Sequence, residues 1–467
     1  MRANTKEVDM IHGPLLGKMI AFTIPVILSG VLQLLFNAAD IIVVGRFAGN
    51  ESLAAVGSTS SLINLLVNLF MGLSVGANVT VAFYFGCDHK EKVVDTIHTS
   101  ITLSLLCGVF LSIFGTLTSH QLLVWMGSPD DVIGLATTYL QIYFWGMPAL
   151  LTYNFGAAIL RAIGNTRTPL YFLLASGVVN VILNLVLVIG CSMDVAGVAI
   201  ATVVSEYISA GLVLFYLGRQ DGVMHFSFSK LGIKTDVLGR IVRIGLPAGI
   251  QGTVFSLSNV VIQSAINSFG STVIAGNSAA SNIEGFVYMA MNAVSQTAVT
   301  FTSQNYGAGD KKRIKKVMFL CLGIVFVVGL ITGESAYLFG KTLLHIYTES
   351  EPVVAAGLVR MSYICIPYFL CGMMDTMVGC LRGIGKSILP MVMSIIGACG
   401  LRLVWIATIF QMYHTEKILY MAYPITWSIT LCAHIITYVI CFKRMQYKKF
   451  DYILPCSYNG GNEKNQN

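Results

Sequence analysis

Ser29, Gln33, Asn37 and Asp40 follow one another at spacings of four, four and three, which places them on one face of a helix. They interrupt a stretch, Leu15 to Gly45, that is otherwise apolar and long enough to cross a bilayer. An aspartate at the centre of such a segment costs roughly 2.5–3.5 kcal/mol, so by default a carboxylate kept there marks an ion or substrate path. A row of neutral hydrogen-bonding groups leading to one acid suits a cavity wall and makes a poor surface toward lipid. Pro25, one turn before Ser29, removes a backbone hydrogen bond and crowds the preceding turn, so a hinge is expected there. The plainer reading of Asp40 is an outer-surface acid paired with Arg46.

The elements that position this stripe follow from the rest of the chain. Of 467 residues, 55% are hydrophobic and only 11% charged, with a mean hydropathy of +0.74. Soluble domains carry about 25% charged residues, so this composition describes an integral membrane protein. The polar start, Met1 to Gly13, leads into an apolar stretch too long for a cleavable signal. Eleven cysteines show no CxxC or Cys/His ligand spacing, so neither a disulfide framework nor a metal site is indicated. Apolar runs separated by short polar turns predict an all-α fold of about twelve transmembrane helices. Residues 1–218 form a six-helix lobe, 219–236 a cytoplasmic linker, 237–442 a second six-helix lobe and 443–467 a polar cytoplasmic tail.

With both termini in the cytoplasm, 24 of the 29 lysines and arginines fall on that side, against Arg46, Lys341 and Lys417 on the other. This is the positive-inside pattern, and it absorbs most of the +7 net charge without any need for nucleic acid. The run KKRIKK (Lys311–Lys316) reads as a topology anchor touching anionic lipid. GIGKS (Gly383–Ser387) is a near miss to a phosphate loop, because position 380 is Cys380 and no strand precedes it.

The chain repeats itself. LRAIGNTRTP (Leu160–Pro169) returns as LRGIGKSILP (Leu381–Pro390), 221 residues on, and Gly86 and Gly307 share that offset. Pro25 and Pro247 lie 222 apart, as do Asn37 and Asn259. A shift of six helices preserves the in/out sense, so the lobes are parallel pseudo-symmetric repeats, as in alternating-access transporters. Polar residues found in one repeat only are the better functional candidates. Asp40 maps to Ile262, Asn180 to Leu401, Asn184 to Trp405, Thr202 to Tyr423 and Glu206 to Trp427. Asp40, Asn180, Asn184 and Thr202 together offer one carboxylate and several neutral oxygens, a donor set for H⁺ or a monovalent cation. Interhelical hydrogen bonding as packing is the rival reading for the two asparagines.

In the second half, Glu284 lies in a stripe with Asn277, Ser281, Tyr288 and Ser295, and Asp375 maps to Asn154. Glu206, Glu284 and Asp375 divide between substrate contact and gating or structural pairing, with Arg161 and Arg382 as candidate partners of Asp375. The embedded acids Asp40, Glu206, Glu284 and Asp375 outnumber the deeply embedded base Arg402, which favours a cationic solute.

Along nearly its whole length the chain resembles the multidrug and toxic compound extrusion (MATE) family. The matching features are IPVILSGVLQLLFNAADIIVVG, the LAAVG turn (Leu53–Gly57), the LRxIGNT loop with its copy, NxxxN at Asn180–Asn184, GVAIATVVSE (Gly197–Glu206) and NIEGF…QNYGAGD (Asn282–Asp310). The resemblance implies a secondary antiporter, not an enzyme, that exports cationic amphipathic drugs in exchange for H⁺ or Na⁺. It implies an ion site at Asp40, Asn180 and Thr202, with Asn184 where an aspartate is common. It further implies cavity residues at Gln33 and Asn154 and a first helix that bends near Pro25 when the acid changes protonation. No cofactor is implied beyond the coupling ion, and no metal beyond Na⁺ at that site. The expected partners are small organic cations and the lipid of a bacterial plasma (inner) membrane, with the chain working as a monomer.

The full candidate cavity set is Gln33, Asn37, Asn154, Glu206, Glu284 and Asp375. A lipid-linked oligosaccharide flippase is the main alternative and would favour a large basic cavity. An intramembrane enzyme is disfavoured because the chain has no HExxH, no GxGD context and no GxS motif within a helix. A passive channel sits poorly with the two-lobe repeat.

Overall fold

A computed structural model describes residues 7–128 and 130–447, and the described residues form helices with no strand. In the first lobe, α1 (Leu15–Val43) starts after Pro14 and runs into a π turn at Val44–Ala48. It is followed by α2 (Gly49–Gly86), α3 (Lys90–Trp125) and α4, which is broken at Gly146 into Asp130–Trp145 and Met147–Ala162. Next come α5 (Arg167–Asn184, continued by π turns over Leu185–Gly190) and α6 (Asp194–Gly218).

The second lobe repeats the plan. It contains α7 (Thr235–Asn267), α8 (Ser271–Gly307), α9 (Lys311–Leu338) and α10, which bends by 47° between Glu351–Ile364 and Tyr368–Gly383. Then α11 runs in pieces, with Ile388–Ser394 leading through π turns at Ile395–Gly400 to Leu401–Ala407. The last helix, α12, spans Glu416–Tyr447, five residues beyond the expected limit at 442. The rest of the expected tail and residues 1–6 lie outside the described residues.

Local chemistry repeats as well. The α3 start is capped by His89, which accepts from Lys92 N, and the α9 start by Asp310, which accepts from Arg313 N. The breaks in α4 and α10 fall at Gly146 and Pro367, 221 apart, where glycine or proline interrupts the helical ladder. Among the described residues nine helices are long and apolar enough to span a membrane, and the bent α10 makes ten. The two that fall short are α4, split into 16-residue pieces, and α8, whose polar stripe lowers its hydropathy.

The lobes meet along α2 and α7, and the repeat reproduces this contact as α8 against α1. At their ends α2 and α8 touch each other symmetrically. A Cβ on Gly86 would run into the Gln304 carbonyl, and one on Gly307 into the Phe83 carbonyl. This close approach explains the repeated glycine. Hydrogen bonds between the lobes gather at the same end. Ser303 donates to Val79 O at 2.7 Å, Gln304 to Ala162 O at 2.6 Å and Thr300 to Asn78 Oδ1 at 3.1 Å. Arg161 donates to Gln296 at 3.1 Å.

Helix α1 belongs to both lobes. Leu15, Met19, Phe22 and Val26 pack into the second-lobe core, whereas Val43 and Val44 pack into the first. Thr23 and Thr297 share a hydrogen bond of 2.7 Å, and Phe22 sets its edge against Phe301. Pro25 sits near the crossing point. Ahead of α1, Val8 N donates to Gly164 O in the first lobe at 3.2 Å. Met10, His12 and Gly13 carbonyls accept the Arg313 guanidinium of the second, at 3.0–3.2 Å.

Candidate functional site

Three adjoining cavities line the space within and between the lobes, about 470 Å³ in the first lobe, 480 Å³ at the centre and 610 Å³ in the second. Gln33, Tyr153 and Asn154 are shared by the first two, while Asn68, Ser295 and Arg382 are shared by the last two. Each is within the size range of pockets for drug-sized molecules, about 300–1,000 Å³.

In the first lobe the sequence-derived cluster is brought together. Asp40 on α1 accepts from Asn184 Nδ2 on α5 at 2.5 Å and from Thr202 Oγ1 on α6 at 3.5 Å. Asn184 Nδ2 also reaches Asn180 Oδ1 at 3.3 Å, one helical turn away. Asn184 is fully buried, and its Oδ1 has no partner among the described residues. Among the described residues no lysine, arginine or histidine lies within 4 Å of the Asp40 carboxylate, so pairing with Arg46 does not occur. Gln33, Asn37 and Glu206 line the same cavity. Glu206 Oε2 is buried without a hydrogen-bond partner among the described residues, close against Gly146 at the break in α4. The wall beside these acids includes Tyr139 and Tyr143, stacked at 5.9 Å between ring centres, which the sequence reading passed over. Pro25 lies within an unbroken α1, and Ser29 Oγ donates to the Pro25 carbonyl at 2.9 Å.

In the second lobe the acids are partnered differently, and Glu284 follows the pairing alternative. Glu284 lines the cavity, but Arg360 holds it in a two-pronged ion pair, Nε to Oε1 at 2.9 Å and Nη2 to Oε2 at 2.6 Å. Asn277 Oδ1 accepts the third guanidinium contact at 2.6 Å. The carboxylate's charge is therefore already matched. Asp375 accepts from Tyr288 Oη at 3.3 Å and makes no ion pair within 4 Å with Arg161 or Arg382, its candidate partners. Arg382 instead donates to Gln251 at 2.9 Å, as Arg161 does to Gln296. Both arginines were counted with the loops, yet they line the central cavity. Four arginines, at 161, 360, 382 and 402, therefore line the cavities against four acids, and the excess of embedded acid inferred from sequence does not hold. An arginine within an apolar segment, Arg360, was the available signal for the ion pair.

The repeat register also needs one correction. The π turns at Ile395–Gly400 add a residue to α11 before its partner position in α5 is reached, so Asn180 is matched by Arg402 rather than Leu401, and Asn184 by Ile406 rather than Trp405. Ile262, Arg402, Tyr423 and Trp427 all line the second cavity, as Asp40, Asn180, Thr202 and Glu206 line the first.

Two repeated six-helix lobes with polar cavities inside and between them are the build of a multi-pass membrane transporter of the two-lobe kind. The MatE family model matches the chain twice, over residues 25–186 and 247–408, and the chain belongs to that family. The two matched ranges start and end 222 residues apart, in step with the corrected register. The chain is 27% identical to the probable multidrug resistance protein YoeA of Bacillus subtilis over 438 residues, covering 92% of this chain and 94% of that one. It is 24% identical to the probable multidrug resistance protein NorM of Thermotoga maritima, over 83% and 84% of the two chains. Its fold matches a MOP superfamily transporter from Pyrococcus furiosus with a TM-score of 0.89 at 21% identity, over 96% of this chain and all of the other. It also matches a MATE family transporter in an outward-facing conformation, with a TM-score of 0.88 at 21% identity and the same coverage.

Proposed function

We propose that the protein exports small organic cations, drugs among them, across the plasma membrane in exchange for H⁺ or Na⁺, by alternating access of its two lobes. The observation that carries this reading is Asp40, a carboxylate in the first-lobe cavity held by an amide and a hydroxyl and, among the described residues, by no base within 4 Å. An organic cation and a coupling ion would compete for that one negative charge. Burial disfavours a bare carboxylate, so the site favours holding one or the other.

The positive-inside distribution supports a cytoplasmic location for both termini. The lobes are joined at that end by Gly86, Gly307 and the Arg161–Gln296 bond, which agrees with an outward-facing arrangement like that of the matched structure. In this state an ion reaching Asp40 displaces the solute outward, and α1 rearranges near Pro25, where its packing passes from one lobe to the other. Names containing multidrug resistance or export among the relatives support drugs as solutes.

The test is accumulation of a fluorescent lipophilic cation in drug-sensitive cells, with intact protein and Asp40→Asn at equal expression. A proton ionophore and Na⁺ removal are applied separately to the intact protein. Lower dye content with the intact protein alone supports exchange at Asp40, and the two treatments identify the ion. Unchanged accumulation of several unrelated cations overturns the drug-export reading. Undiminished pumping by Asp40→Asn overturns the site.

A further inference from the structure

The second-lobe cavity has the same build as the first but carries charge of the opposite sign. Where the first has Asp40, Asn180, Thr202 and Glu206, the second presents Ile262, Arg402, Tyr423 and Trp427. Its other charges balance in number, two acids against two bases. Glu284 and Arg360 neutralise each other, and Asp375 accepts from Tyr288 while Arg382 donates to Gln251. Arg402 remains. It is 3% exposed, it lies 4.1 Å over the Tyr423 ring, and its guanidinium makes one long hydrogen bond, to Thr426 Oγ1 at 3.4 Å. Its Nε is buried without a partner, and no carboxylate lies within 4 Å of it among the described residues.

A guanidinium removed from bulk water and left without an acid is costly, and natural structures usually pair or hydrogen-bond it. A planar oxyanion is its best complement, since the fork of N–H groups meets two carboxylate oxygens at once. The walls beside Arg402 are aromatic. Tyr368 stacks on Trp427 at 5.4 Å, and Tyr423 meets Trp427 edge-on at 5.6 Å. We propose that this cavity is a binding site for aromatic organic acids, with Arg402 holding the carboxylate and the Tyr423–Trp427–Tyr368 wall holding the ring. Solutes that carry both an anionic and a cationic group would then engage both lobes through the adjoining central cavity. The proposal concerns binding in the second lobe and does not depend on cation efflux at Asp40.

The test is calorimetric titration of the intact protein in nanodiscs with 1-naphthoate, its methyl ester and inorganic phosphate. The acid is expected to bind at least about tenfold more tightly than the ester, because the ester offers Arg402 no charge. Arg402→Gln is expected to weaken the acid by about tenfold or more, while Arg402→Lys, which keeps the charge but not the fork, falls between. Equal binding of acid and ester overturns the proposal, as does phosphate binding as tightly as the acid. Unchanged affinity in Arg402→Gln overturns the role of that residue. Should Arg402→Gln fail to fold, the acid-to-ester ratio on the intact protein still decides.

Discussion

Asn184 donates its side-chain amide to the Asp40 carboxylate at 2.5 Å, tying α5 to α1 across 144 residues of chain. The partner is a neutral amide, so Asp40 supplies the negative charge at this point of the first-lobe cavity. Asn184→Asp puts a second carboxylate at hydrogen-bonding distance. Two acids that close cannot both stay bare, so they share a proton or take up a cation. Na⁺ affinity is expected to rise on the order of tenfold, read as a Na⁺-dependent increase in thermal stability of the purified protein. A variant that responds to Na⁺ no more than the native protein would show that the cation does not sit here.

Gly86 and Gly307 allow α2 and α8 to touch by their backbones. Gly86→Val and Gly307→Val are each expected to force this end apart and to abolish export. The reporter is native Cys87, whose Sγ contacts Gly307 O at 3.4 Å. Its modification by a membrane-impermeant thiol reagent, followed by peptide mass spectrometry in inverted vesicles, should speed up severalfold in both variants. An unchanged rate would mean that the contact is not what closes this end.

The Glu284–Arg360 pair sits fully inside the second lobe, with each side chain under 10% exposed. Removing one partner strands the other. Arg360→Met is expected to cost about 3–5 kcal/mol, and Arg360→Met with Glu284→Gln to recover more than half of it. Denaturant unfolding in detergent measures both. A double variant as unstable as the single one would show that packing, and not charge, is what Arg360 supplies.

Arg161 and Gln296 bridge the lobes at 3.1 Å. A double-mutant cycle with Arg161→Ala and Gln296→Ala should give a coupling of about 1.5–3 kcal/mol in the same unfolding measurement, the range for a hydrogen bond to a charged group. Additive losses would mean that the two side chains do not support each other.

Much of this molecule was legible in the sequence because a bilayer constrains it strongly. Apolar run length and basic-loop bias yielded twelve segments, and the 221-residue repeat divided them into two lobes. The helical spacing of Asn180 and Asn184, with the repeat asymmetry, pointed to the cluster around Asp40. What stayed hidden depended on partners far apart in sequence. Glu284 lies 76 residues from Arg360, and no local pattern announces that their charges cancel. The π turns at Ile395–Gly400 were equally silent, since a single added residue changes no hydrophobic pattern yet moves Arg402 into the place of Asn180. Helix α1 was assigned to one lobe because chain order suggests it, whereas its first half packs with the other.

The short strap before α1 has a consequence for how the protein is handled. Asp9 folds it by accepting from Ile11 N and His12 N, Val8 is pinned to Gly164, and Met10, His12 and Gly13 are pinned to Arg313. If the lobes part at this end, one anchor or the other must break, which would make the strap a fuse in series with that movement. Cargo fused just ahead of Val8 would load that fuse and alter the timing of transport while leaving all three cavities untouched.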